Sequence, residues 1–131
     1  MSRFSFGKSE KLCSKLVIEK LFSEGNSFVV FPLKFVWVKH ELCADTHVKS
    51  AFTVSKKSFK RAVKRNLLKR RMREAFRLNK PDFIDRLPKS DDAGIGMMVI
   101  FLGKELMDYS RIERAMNKGL QKMTDKIQST P

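Results

Sequence analysis

The apolar positions change period along the chain, and each change predicts an element. From Ser14 to Glu24, Val17, Ile18, Leu21 and Phe22 recur at helical spacing, and Gly25 follows as a stop. That pattern predicts a short amphipathic helix. Phe28 to Phe31 and Leu33 to Val38 are β-branched and aromatic, with Pro32 between them, and read as two strands broken at the proline. In the second strand Leu33, Phe35 and Trp37 point to one face, and Lys34, Val36 and Val38 to the other. Between His47 and Ser55 the even spacing of Val48, Phe52 and Val54 predicts a third strand.

A helix-forming, basic stretch then runs from Lys56 to Lys80, with Pro81 as its expected end and residues 81–94 as a loop. Ile95 to Leu102 is a nearly continuous apolar run, as in a buried central strand. Ser110-Arg111-Ile112-Glu113 has the form of a capping box. It opens a helix whose stripe is Ile112, Ala115, Met116, Gly119, Leu120, Met123 and Ile127. The expected order is αβββαβα: an α/β (α+β) domain, a single four-stranded sheet with three helices. Residues 1–131 form one domain on this reading, with 1–12 and 125–131 as flexible tails.

Charge sharpens the picture. Lys and Arg number 28 against 14 Asp and Glu, a formal net charge of +14. Such a charge repels itself in a compact state, so a polyanionic partner is its simplest reason. The excess concentrates in the basic helix. There Leu68, Met72, Ala75 and Phe76 share one side, while Asn66, Lys69, Arg70, Arg73 and Arg77 share the opposite side. A merely solvated face interleaves both signs, because like charges at i,i+4 repel. Here Glu74 is the only acid between Lys56 and Lys80. Guanidinium groups suit bidentate contact with phosphates, so the ridge reads as a phosphate-binding surface. Phe59, Ala62 and Val63 fall off the later apolar face, which places a change of axis or packing partner near Lys64.

A second candidate surface is the strand face carrying Phe35 and Trp37, with Lys56 and Lys57 beyond the third strand. It suits single-stranded nucleic acid, bases on π faces and backbone along cations. The alternative is that both aromatics are core residues beneath the helices.

Other chemistries find less. No uncharged stretch reaches the roughly 18 residues that span a bilayer, and Met1 to Lys8 lacks the apolar run of a secretory signal. Cys13 and Cys43 are far apart and form no CxxC pair, as expected of free thiols in the cytoplasm. His40, Cys43 and His47 match no common zinc spacing and read as strand-end polar residues. Asp82, Asp85, Asp91 and Asp92 have the composition of a loop rather than of a metal-dependent nuclease centre. A regulator inserting the basic helix into DNA is a rival, although a strand and not a helix precedes it. An RNA-chaperone or ribosome-associated module is another.

Ser50-Ala51-Phe52-Thr53-Val54-Ser55-Lys56-Lys57 followed by Arg61-Ala62-Val63-Lys64-Arg65-Asn66-Leu67-Leu68-Lys69-Arg70-Arg71-Met72-Arg73 resembles the protein subunit of bacterial ribonuclease P. The likeness spans roughly residues 12–123, with the elements in the family's order. One position departs: Leu67 stands where the family usually carries arginine. The resemblance implies a ribonuclease P protein-like fold, also described as ribosomal protein S5 domain 2-like. It implies a subunit without catalytic residues that assists an RNA-based, Mg²⁺-dependent endoribonuclease in removing the 5′ leader of precursor tRNA. The implied partners are ribonuclease P RNA and precursor tRNA, not DNA or membrane, with no cofactor held by the protein. By position, Lys60, Arg61, Lys64, Arg65, Asn66, Lys69, Arg70, Arg73 and Arg77 would meet the catalytic RNA. Ile18, Phe22, Phe35, Trp37, Lys56 and Lys57 would form the leader cleft, with Ile18 where many members have an aromatic.

Overall fold

The computed structural model describes residues 15–40, 48–87 and 94–129. The elements are α1 (Lys15–Glu24), β1 (Asn26–Val30), β2 (Leu33–His40), β3 (Val48–Val54), α2 (Ala62–Arg86), β4 (Gly94–Phe101) and α3 (Tyr109–Ser129). They form one mixed sheet in the order β1-β2-β4-β3, the expected αβββαβα arrangement. β1 and β2 are an antiparallel hairpin turning at Phe31-Pro32, whose peptide bond is cis. The apolar run of β4 sits inside the sheet, antiparallel to β2 and parallel to β3. α2 makes the crossover that a parallel pair requires.

Strand alternation divides the core in two. Leu33, Phe35 and Trp37 of β2, Val48 and Val54 of β3, and Met97, Val99 and Phe101 of β4 pack with the apolar stripes of α2 and α3. On the opposite face Val36 and Val38 meet Val17 and Leu21 of α1, with Ile18, Ala51, Met98 and Ile100 half-buried around them. Two helices cover one face; a single ten-residue helix covers part of the other.

Two glycines set close approaches. A Cβ at Gly119 would lie 2.1 Å from the Phe35 ring, so its absence lets α3 settle onto the sheet. A Cβ at Gly25 would lie 2.3 Å from the Leu21 carbonyl oxygen and 2.9 Å from Val36. Gly25 ends α1 without left-handed backbone, donating its N–H to Leu21 O at 3.0 Å; close approach to that carbonyl and to Val36 of β2 is what needs the glycine.

Four helix boundaries differ from the sequence expectation. α2 begins at Ala62, not near Lys56, and Phe59 is a buried pre-helical residue against Phe101, which removes the need for an axis change near Lys64. α2 also continues through Pro81 to Arg86. An interior proline disfavours a helix by about 3 kcal/mol. Burial of Phe83 and Leu87 offsets this at about 1.5–3 kcal/mol per large apolar side chain. The helix end is also satisfied, since Gln128 Nε2 donates to Arg86 O at 2.8 Å. α3 is capped by Asp108 rather than Ser110: its Oδ1 accepts the Arg111 N–H at 3.0 Å. Glu113 is thereby freed from the capping box and accepts from Asn79 Nδ2 at 3.3 Å. Residues 125–129, expected to be a flexible tail, continue α3 because Ile127 is buried. The expected tail 1–12 lies outside the described residues.

Candidate nucleic-acid interface

α2 presents the ridge as its sequence pattern requires. Leu68, Met72, Ala75 and Phe76 are buried, which fixes the helix's rotation. Asn66, Arg70 and Arg73 are exposed on the outer side, with Lys69 and Arg77 half-buried beside them. Lys60, Arg61 and Lys64 are exposed around the start of the helix. No acid occupies the first turn of α2, and its N-cap, Arg61, makes no side-chain cap. Cations thus crowd the positive end of the helix dipole, an arrangement that an anion relieves on both counts. Lys60, Arg61, Lys64 and Lys104 line one hollow there together with Glu105. Lys104 escaped the sequence reading because it lies far from α2 along the chain.

Not every cation of the segment is available. Arg65 donates through Nη1 to the carbonyls of Phe59 at 2.7 Å and Lys60 at 2.8 Å. It braces the turn that leads into α2. Arg71 donates to the Met107 carbonyl and ties α2 to the loop before α3. Arg77 forms a fork with Glu74, at 3.0 Å through Nε and 2.6 Å through Nη2. The Arg77 guanidinium holds the Glu74 carboxyl below the usual carboxylate range, chiefly through those hydrogen bonds. Leu67 is half-buried.

The expected aromatic floor is corrected. Phe35 is 0% and Trp37 3% exposed, and both belong to the face covered by α2 and α3. No base can stack there without removing a helix. Gly119 on α3 presses directly against the Phe35 ring. The residues that border α1 on the open face are the other half of β2, Lys34, Val36 and Val38, with Lys49, Ala51, Thr53, Met98 and Ile100 in register beside them. On α1, Ile18 is half-buried against this face, and Phe22, one turn later, is 70% exposed. Lys56 and Lys57 are exposed in the turn after β3. The one signal that could have found this floor is the position of Lys34, whose charge marks the less deeply covered face of β2.

β3 and the turn 55–60, rather than a helix, precede α2, so α2 is not the second helix of a helix-turn-helix unit. Among the described residues no group of three or more His, Cys, Asp or Glu side chains could hold a metal ion. Of the zinc alternative, His40 ends β2, while Cys43 and His47 lie outside the described residues. No described helix is long and apolar enough to cross a membrane.

Comparison with known proteins adds to this geometry. Residues 6–124 match the model of the family described as Ribonuclease P. The ribonuclease P protein components of two Porphyromonas gingivalis strains are each 39% identical over 128 residues, covering 97% of this chain and 92% of theirs. Among solved structures, the Staphylococcus aureus RNase P protein superposes with a TM-score of 0.66 at 19% identity, over 88% of this chain and 95% of that one.

Proposed function

Because this chain belongs to the ribonuclease P protein family, we propose that it binds ribonuclease P RNA through α2 and the 5′ leader of precursor tRNA along the face beside α1. The RNA, with Mg²⁺, carries out the endonucleolytic cleavage, and the protein contributes contacts and orientation without catalytic residues of its own. On this reading it acts in the cytoplasm, where precursor tRNA is made.

The observation that carries the proposal is the ridge itself. Lys64, Arg70 and Arg73 are exposed on a helix whose opposite side is locked into the core. Lys69 and Arg73 form a like-charge i,i+4 pair, which costs stability unless a polyanion compensates. RNA supplies that compensation through phosphates, with release of condensed counterions. The leader assignment is supported by the open face's character. Aliphatic and methionine side chains pack there beside α1, which carries exposed Phe22, while Lys34 and Lys49 share the face and Lys56 and Lys57 stand exposed in the turn after β3. A single strand needs that combination of apolar contact for bases and cations for backbone.

The test is the salt dependence of binding to ribonuclease P RNA transcribed from the same genome. Replacing Lys64, Arg70 and Arg73 together with glutamine is expected to lower the slope of log affinity against log salt by about 2–3. An unchanged slope, with the protein folded, would remove α2 from the RNA interface.

A further inference from the structure

The strongest unassigned feature is on α3. Arg111, Arg114, Lys118 and Lys122 are all exposed and fall on one arc of the helix, with Lys126 continuing the row. Arg114, Lys118, Lys122 and Lys126 are successive i,i+4 neighbours of like charge, the arrangement that an isolated helix avoids. Asp125 is the acid of this arc, and Arg111, Arg114, Lys118 and Lys122 form no ion pair among the described residues. The stripe is separate from the α2 ridge. The side of α3 that meets α2 is polar and uncharged at Asn117, which donates to Asn79 at 2.8 Å, and at Gln121, which donates to Asn117 at 2.9 Å.

Ring contacts place the stripe along the β1 edge of the domain. The Arg111 guanidinium lies 5.8 Å from the centroid of Phe31. The Lys122 and Lys126 ammonium groups lie 5.5 and 5.6 Å from that of Phe28. β1 and β3 are the two edges of the sheet, and α2 packs toward β3. The two cationic rows therefore flank the domain on opposite sides. Steps of four residues set the cations from Arg114 to Lys126 about 6 Å apart along a row about 18 Å long, a spacing close to that of neighbouring phosphates on a strand. Phe31 is 57% exposed at one end and offers a ring for an unpaired base.

We propose that this α3 stripe is a second docking surface for RNA, taking a segment of ribonuclease P RNA distinct from the one on α2. The proposal rests on the reading given under Proposed function. The sheet separates α3 from the face beside α1, so a leader held on that face does not reach the stripe. The catalytic RNA, rather than the substrate, is the phosphate source that fits.

The test uses the full chain and ribonuclease P RNA, without and with precursor tRNA. The variant Arg114→Gln/Lys118→Gln/Lys122→Gln is compared with Arg70→Gln/Arg73→Gln, and Lys118→Glu alone serves as a second α3 variant. The expected result is a slope of log affinity against log salt lower by about 2–3 in the α3 triple variant without substrate. Hydroxyl radicals generated from a chelate on Lys118→Cys and on Arg70→Cys, with Cys13 and Cys43 replaced by serine, should cut two different RNA segments. A wild-type slope in both α3 variants, with a lowered slope in the α2 variant, overturns the second surface and leaves the proposed function intact. A loss seen only with precursor tRNA present assigns the stripe to substrate and overturns it as stated. If neither helix's variants lower the slope, the proposed function fails first.

Discussion

The two faces of the sheet are built from alternate residues of the same strands, yet they are covered to different extents. In β2, Phe35 and Trp37 point beneath α2 and α3 and are almost wholly buried, whereas Val36 and Val38 pack on the other face against Val17 and Leu21 of α1. The covered face carries the larger cluster, with the Phe28 and Phe35 rings stacked at 5.2 Å. The other face carries aliphatic, methionine and lysine side chains beside α1, on which Phe22 is exposed. Aromatic residues in a strand are therefore no guide to a stacking surface until their neighbours across the sheet are known. Covering decides the role, and two helices cover more than one.

The largest effect that would sharpen this contrast is expected from Phe35→Ala, which empties the centre of the covered face. Denaturant unfolding should show a loss of about 3–5 kcal/mol, and a loss below 1 kcal/mol would mean that the face is not tightly packed. Gly119→Val attacks the same contact from α3, since its Cβ would lie 2.1 Å from the Phe35 ring. Overpacking of this kind costs about 1–3 kcal/mol, read as a lowered melting temperature. On the open face, Phe22→Ala should change stability by less than about 0.5 kcal/mol. Its effect should appear instead as weaker binding of leader-bearing precursor, by about 1–3 kcal/mol if a base stacks on the ring.

The smallest effect concerns Tyr109. Its hydroxyl is buried without a hydrogen-bond partner, and burial, then the charges of Glu74 and Glu113, push its pKa above the usual value. A phenol whose folded pKa is raised resists ionisation in the native state, so stability is intact below the unfolded pKa, about 10. It falls as pH rises past that value. Tyr109→Phe should flatten this alkaline loss while leaving stability at neutral pH nearly unchanged or slightly higher; parallel alkaline curves for both proteins would show that the hydroxyl is hydrated.

Much of this was legible in the chain. The element order followed from changes of period, and β4 announced itself as the internal strand by its unbroken apolar run. The α2 ridge was legible because Leu68, Met72, Ala75 and Phe76 fix one side and the cations occupy the other. What failed were decisions made by tertiary packing. β2 is buried on both sides from Phe35 to Val38, so alternation could separate its two faces but not say which lay under two helices. Pro81 reads as a stop because the local cost of proline is visible in sequence, whereas burial of Phe83 is not. The Asp108 cap lay two residues before the more familiar Ser-x-x-Glu signature. The α3 stripe is present as an i,i+4 series of Arg and Lys, interleaved with the core residues that define the apolar period.

The most direct measurement is the ratio of holoenzyme affinities for precursor tRNA with its leader and for mature tRNA, compared between Phe22→Ala and Trp37→Phe. If the face beside α1 holds the leader, the ratio falls in Phe22→Ala and stays at the wild-type value in Trp37→Phe, which keeps the core filled. A ratio that falls in Trp37→Phe and holds in Phe22→Ala would put the leader on the covered face and contradict the division of labour between the two sides of the sheet.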